Sequence, residues 1–586
     1  MSPTAPPRLS PLRRRSLATA WRLLRAGDLA GLGRRLLGRL RRLGRGRPVD
    51  YATWRVRHVV LTDGDRARID ELAAALPRRP SFTLGVEGGG ADTGDRSPQH
   101  DPDRLRATLG SVVAQTWPEW VLCLATDRAL SDELATVAVD VGDSRIRITG
   151  PDPTVLGDWA ACVHAGDLLH PAALFSVAHA IAHSAGPAVV YTDNDHVDAR
   201  GRLTLPHCKP DWNPDLLLGQ DYLAGLVAYR RDVAEGAAGA ETPHERALRC
   251  TDGLTAAEVL HVPHVLYTAR IGSGGLSEAL TDTEGRRVAR PVPDPAPRVS
   301  VLIPSRDQGR LLERCLGSIR ERTDYPDVEI VLVDHESTQP QARQVIDALA
   351  DDPTHRVLAH SGPFNFAAMV NRAAEAATGD VLVLLNNDTE VITPGWLTEM
   401  VGQLSRPEVG VVGALLLFTD GTIQHAGVHP GVGGLMGHGH KHRRSDDPGY
   451  FGRLTVVHEV AAVTGACLGI TRATWDRLGG LDETDLAVAY NDIDLCLRAR
   501  AAGLRVVFTP HAVLHHHESV SRGFDDDPGR TARLADEVAV MRERWGDLLD
   551  ADPAYSPNLT LTGRDFTLAE HPRVTPPWRT RTEVQA

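Results

Sequence analysis

No run in this chain approaches the roughly 18 consecutive apolar residues of a membrane-spanning helix, and the basic N-terminus lacks the compact apolar stretch of a signal peptide. The seven cysteines, at 123, 162, 208, 250, 315, 467 and 496, include no Cys-x-x-Cys pair, so neither a thiolate zinc site nor a disulfide framework is indicated. A reducing cytoplasm is therefore the expected compartment. No Gly-x-Gly-x-x-Gly turn follows the strand-like stretches Ser81–Val86 or Val299–Ile303, which argues against a dinucleotide-dependent oxidoreductase. What the chain does have is length and ordinary globular composition: 586 residues, 42% hydrophobic and 24% charged, enough for about three to five domains with large cores.

Charge is unevenly spread. Residues 1–50 hold thirteen Arg against Asp28 and Asp50, so they are strongly basic, and the remainder is more acidic than the whole-chain net charge of -12. An acidic body argues against general nucleic-acid binding, and a basic end suits an anionic lipid surface. Leu32, Leu36, Leu40 and Leu43 recur at helical spacing between arginines, which reads as a basic amphipathic helix weakened by Gly31, Gly33 and Gly38, or equally as an Arg-rich tail.

From Tyr51 onward strand-like and helix-like stretches alternate, implying parallel sheet. The alternation breaks at 282–297, where Pro291, Pro293, Pro295 and Pro297 enforce an extended spacer, and then begins again. The two runs share an order of landmarks. Leu109-Gly-Ser-Val matches Leu316-Gly-Ser-Ile, Gly157-Asp158 matches Gly379-Asp380, and His164 to Asp167 ahead of Pro171 matches Asn386 to Asp388 ahead of Pro394. This is a duplication at domain scale.

The second copy carries the chemistry-bearing groups. The apolar run Val381–Leu385 stops at Asn386-Asn387-Asp388, as a buried strand does where it delivers polar groups to the carboxyl edge of a sheet. Such a cluster either turns and caps the chain or offers a carboxylate to a hard divalent cation whose other ligands are phosphate oxygens. Asp334 closes the strand Glu329–Val333, either as a turn former or as an acceptor for a base or ribose at a nucleotide crevice. Asp494 and Arg498 lie four apart on a helix and are expected to pair; Asp492, at the start of that helix, either caps it or presents a general base. Three imidazoles in series, His515 to His517, end another strand, and one of them is a candidate metal ligand.

Together Asp334, Asn386 to Asp388, Val463-Thr-Gly-Ala-Cys467, Gly479 to Glu483, Asn491 to Arg498 and His516 to Ser519 with Ser521-Arg522-Gly523 resemble family 2 glycosyltransferases, particularly bacterial rhamnosyltransferase-like enzymes of surface polysaccharide synthesis. The resemblance extends weakly over the first copy, through Tyr51, Trp54, Tyr191 to Asp195 and Lys209-Pro-Asp-Trp212. It implies an α/β chain of tandem GT-A (nucleotide-diphosphosugar transferase, Rossmann-like) domains. The boundaries expected are 1–50 for the basic segment, 51–285 for a degenerate copy, 286–545 for the catalytic copy and 546–586 for a C-terminal tail. It further implies a nucleotide-diphosphosugar donor with Mg²⁺ or Mn²⁺ on its phosphates, and transfer with inversion to a carbohydrate or lipid-linked acceptor.

By the same resemblance, Asp492 matches the catalytic base, Asp388 and His516 the metal side, and Pro304, Asp334, Asn386 and Asn387 the donor side. Gly465, Asp482, Asn491, Asp494, Arg498 and His517 fall to acceptor-side or structural support. His335-Glu336 and His458-Glu459 depart from the family pattern, which bears on donor and acceptor identity. Gln424 to Gly427 and the histidines at 438, 440 and 442 resemble the family's insertion over the cleft and are expected in a mobile covering loop, with a second metal site there as the alternative. The expected place is the cytoplasm, peripheral to the inner face of the membrane through residues 1–47. The rival reading is a non-catalytic scaffold of two carbohydrate-binding modules.

Overall fold

Val381–Leu385 is buried at all five positions, as a strand covered on both faces must be, and it sits in the middle of a ten-stranded sheet. The computed structural model describes residues 49–87, 102–125, 132–149, 155–271, 287–517 and 528–580. The basic segment 1–47, Gly88 to Gly90 and Ser519 to Gly523 lie outside them. From Tyr51 onward the chain is one compact unit.

The first half supplies β1 (Phe82–Glu87), β2 (Trp120–Ala125), β3 (Ile146–Thr149), β4 (Trp159–His164), β5 (Leu168–Leu169), β6 (Val189–Val197), β7 (Leu203–His207), β8 (Val227–Arg230) and β9 (Val259–Arg270). The second supplies β10 (Val299–Ser305), β11 (Val328–His335), β12 (Arg356–His360), β13 (Val381–Leu385), β14 (Thr389–Val391), β15 (Val409–Leu417), β16 (Ile423–His425), β17 (Val428–Pro430), β18 (Met436–His438), β19 (His458–Glu459), β20 (Cys467–Thr471) and β21 (Arg505–His516). The sheets run β3-β2-β1-β4-β8-β6-β9-β5 and β12-β11-β10-β13-β20-β15-β21-β14. Each strand of one has its counterpart in the same place in the other. In both, a parallel set at one side gives way to antiparallel pairs at β4–β8 and β13–β20. The duplication read from short landmarks is thus a duplication of sheet topology.

Helices and apolar side chains cover both faces of the second sheet, with one core around Leu302, Leu384 and Phe508 and another around Ile303, Trp396 and Leu416. Gly379, before β13, lies so close to β10 that a Cβ there would come within 2.7 Å of the Arg298 carbonyl oxygen. The halves are fastened at the start of β21. Asp215, 4% exposed, takes Arg406 at 2.5 Å and also pairs with Arg505, which reaches Glu459 at 2.7 Å. Asn213 and Glu459 exchange two hydrogen bonds of 3.1 Å.

Residues 546–580 span both halves. Tyr555, Leu559 and Phe566 are buried with Cys208, Trp578 joins the core of the first sheet, and His429 meets Asp552 at 3.0 Å. The histidine-rich segment is built into the fold and is not a loose cover: β16 joins the sheet, β17 and β18 form a hairpin, and His425, His429 and His440 are buried. Burial drives the His425 and His440 imidazoles well below their usual range and His438 down to about 4. Among the described residues no helix is long and apolar enough to cross a membrane.

Candidate active site

The carboxyl edge of the second sheet is assembled by strand pairing. β14 turns back beside β21 with Thr389 opposite His516, which sets Asp388 against the end of the long strand. The buried Asp388 carboxylate lies 3.1 Å from His516 Nε2, and the His517 N–H donates to the Asp388 carbonyl at 2.9 Å. Asn386 Nδ2 is 3.2 Å from His516 Nε2, and Asn387 Nδ2 donates to Ser305 Oγ at 3.0 Å, tying the cluster to the end of β10 beside Pro304.

His516 Nδ1 stands 2.7 Å from Gln424 Oε1, an acceptor, so this nitrogen carries a proton, and Nε2 faces both the Asn386 amide and the Asp388 carboxylate. A hard carboxylate oxygen beside an oriented imidazole therefore suits a divalent cation completed by phosphate oxygens. Among the described residues no cluster of three or more His, Cys, Asp or Glu could hold a metal by itself, so a substrate would have to supply the remaining ligands.

The second carboxylate comes from the helix Asn491–Ala501. Asp492 Oδ2 accepts the Gly465 N–H at 2.6 Å and Oδ1 the Ile493 N–H at 2.8 Å. Next to Gly465, the Ala466 carbonyl accepts the Asn386 N–H at 3.1 Å, so the Asp388 turn and Asp492 meet on one short loop.

The other predicted residues brace this arrangement. Asp494 takes Arg498 at 2.7 Å and Trp545 Nε1 at 3.0 Å, and Arg498 donates to the carbonyls of Leu478 and Gly480. Asp482 accepts two backbone N–H groups and Arg544, while Asn491 donates to the Leu486 carbonyl. His517 faces Glu390 at 3.2 Å and points away from Asp388. Asp334 sits at the end of β11 as expected, opposite Ser305, but its oxygens already accept Arg343 at 2.8 Å and the Ser337 N–H at 3.2 Å. An ionised carboxylate retains lone pairs for a ligand after both. Ser305, Arg343 and Gln424 were not singled out as site residues from sequence; no local pattern marks them, because each meets its partner only through tertiary packing.

The first sheet closes the corresponding edge. By register Thr268 takes the place of His516, since Leu168 pairs with it as Thr389 does with His516. Asp167 is fully buried and accepts Tyr267 Oη and the Arg270 N–H, each at 2.8 Å, and burial raises its carboxyl above the usual range. The guanidinium of Arg55, from the helix Tyr51–His58, lies 2.8 Å from Asp195 and 3.5 Å from Thr268 Oγ1, and Tyr51 donates to Asp195 at 2.6 Å. The chain's own cation stands beside that edge.

Residues 300–473, which hold β10 to β20 and the Asp388 turn, match the family model for glycosyl transferase family 2. Two curated relatives match over 86% of this chain: an uncharacterized protein of Sinorhizobium fredii, 37% identical, and an O-antigen biosynthesis protein of Myxococcus xanthus, 35% identical. This chain covers 60% and 42% of their respective lengths, less than two thirds of either. An N-acetylglucosaminyl-diphospho-decaprenol L-rhamnosyltransferase of Mycobacterium tuberculosis is 28% identical over 37% of this chain and 75% of its own. Residues 300–473 therefore form a glycosyl transferase family 2 domain, and the α/β architecture of the chain is two sheets of matching topology in tandem.

Proposed function

We propose that residues 286–545 catalyse metal-dependent, inverting transfer of a sugar from a nucleotide-diphosphosugar to a hydroxyl of a surface-polysaccharide or lipid-linked acceptor. The observation that carries this reading is the pairing of Asp388 with the oriented His516 at the same sheet edge as Asp492. The names of the M. xanthus and M. tuberculosis relatives support the acceptor class and make a deoxyhexose such as rhamnose the first donor to try.

Asp388 and His516 would hold Mg²⁺ or Mn²⁺, which when bound supplies charge neutralisation for the departing diphosphate. Asp334 and Asn386 to Asp388 orient the nucleotide half. The Gly465 N–H aims the Asp492 carboxylate, and that carboxylate takes the proton of the acceptor hydroxyl as the hydroxyl oxygen attacks the anomeric carbon. One base and direct displacement give inversion without a covalent intermediate.

The segment 51–285 is proposed as a non-catalytic copy that buttresses the catalytic one, and 1–47 as a peripheral attachment to an anionic membrane surface. The test is a screen of nucleotide-diphosphosugars with the purified full chain, reading nucleoside diphosphate release with and without Mn²⁺. One donor consumed only with metal and acceptor fits the proposal; no release with any donor would favour a carbohydrate-binding scaffold.

A further inference from the structure

Gln424 lies on β16, buried, with its neighbours Ile423 and His425 buried beside it. It belongs to none of the motifs that mark the site, yet it grips His516 at two points. Its Oε1 is 2.7 Å from His516 Nδ1, and its Nε2 is 3.4 Å from the His516 carbonyl oxygen. β16 is held against β15 by the pairing of Leu416 with His425, and β15 pairs in turn with β21 through Leu417 and His515. On the far side His425 Nδ1 meets His438 Nδ1 of the hairpin at 2.8 Å, so β16 is fixed from two directions.

An imidazole binds a cation through an unprotonated nitrogen, so its other nitrogen must hold the proton and needs an acceptor. Gln424 Oε1 is placed to be that acceptor, and the second contact keeps the amide from rotating away. We infer that Gln424 is a positioning residue that fixes the tautomer and ring orientation of His516, and that it thereby sets the affinity of the site for a divalent cation. The inference rests on the metal reading proposed above. It also assigns a purpose to the histidine-rich segment: β16 and the β17–β18 hairpin form a rigid brace for the metal side.

A carboxamide is a neutral acceptor. A carboxylate in its place would accept the same proton and make the imidazole a stronger ligand, whereas a thioether of similar length would accept it poorly. The experiment titrates Mn²⁺ into the full chain at a fixed excess of a nucleoside diphosphate (UDP, GDP and dTDP in parallel), whose phosphates complete the coordination, read by water-proton relaxation enhancement, for the native protein, Gln424→Met, Gln424→Glu, Asp388→Ala and His516→Ala. Gln424→Met is expected to weaken binding by about tenfold or more, the usual cost of losing such a partner. Gln424→Glu is expected to bind at least as tightly as the native chain. Native-like affinity in Gln424→Met overturns the inference and leaves the metal reading intact, provided Asp388→Ala and His516→Ala lose binding. If those two variants also bind like the native chain, the metal reading itself fails. Should Gln424→Met not fold, Gln424→Glu decides: binding as weak as in His516→Ala overturns the inference.

Discussion

The Gly465 N–H donates to Asp492 Oδ2 at 2.6 Å, across 27 residues of sequence. A Cβ on Gly465 would lie 3.2 Å from the Asp492 Cβ and 3.5 Å from that oxygen, so the close approach depends on glycine. Asp492→Asn is expected to lower transfer by about 10²- to 10⁴-fold while leaving donor affinity nearly unchanged, because the base acts on the acceptor. Gly465→Ala should reproduce part of that loss by displacing the carboxylate. Transfer within a few fold of native in Asp492→Asn, measured alongside donor binding, would place the base elsewhere.

Asp388→Ala should act differently, weakening donor affinity and the response to added metal together. The carboxylate is buried beside His516, so its loss removes charge from the donor side and none from the acceptor side. Titrating Mn²⁺ against donor turnover separates the two effects; an unchanged metal dependence would move the cation away from this turn.

His261 should contribute stability that is lost as pH rises. Its ring nitrogens lie 2.9 Å from both Asp193 and Asp211, and it stacks on Tyr191. Burial opposes its charge, but the two carboxylates outweigh burial and raise its pKa to about 8. A folded-state value above the unfolded one means that the stabilisation is complete below about pH 6.5 and is lost as pH climbs through 8, a contribution of about 2 kcal/mol. Burial lowers the Lys209 amine to about 7, which adds stability over the same pH range, so the His261 effect is read by difference: between pH 6 and pH 9 the native chain should lose about 2 kcal/mol relative to His261→Gln in denaturant unfolding.

How much of this was legible in the sequence differs by residue. Val381–Leu385 and its polar cap are readable because a strand buried on both faces is a continuous apolar run, and the Asp494–Arg498 pair because helical spacing is local. The Asp388–His516 contact is not readable from spacing, since it depends on β14 pairing with β21 across more than a hundred residues. Arg343 reaches Asp334 over only nine residues, from the helix Pro340–Ala350 that follows β11, but the strand–helix packing that joins them leaves no spacing signature. Residues 546–586 look like a tail because they have little periodicity, yet single large side chains such as Tyr555 and Trp578 anchor irregular chain in existing cores.

Removing residues 1–47 should release the protein from anionic vesicles without changing turnover of a soluble acceptor. Thirteen Arg in the first 50 residues make the attraction one of charge on charge, so binding of the intact chain should drop steeply with added salt. Salt-insensitive sedimentation with vesicles would contradict this.

Two buried carboxylates of the first half should respond in opposite ways to removal. Asp167 stands where Asp388 stands in the other sheet, but Tyr267 and Arg270 occupy its oxygens, Thr268 replaces the histidine, and the Arg55 guanidinium stands at that edge. Asp167→Asn keeps the size and one acceptor oxygen, so donor turnover should stay within a few fold of native. Asp215 has no counterpart role in chemistry, yet it neutralises Arg406 and Arg505, and Arg505 opens the strand that ends at His516. Taking Asp215 away leaves the largely buried Arg406 without its carboxylate while Arg505 keeps Glu459, a cost of about 3 kcal/mol. Asp215→Ala should therefore lower the melting temperature by several degrees and reduce turnover through the shared strand, although the residue lies in the first half. Turnover lost in Asp167→Asn with an unchanged melting temperature would make the first sheet catalytic. A stable, fully active Asp215→Ala would show that the halves work independently.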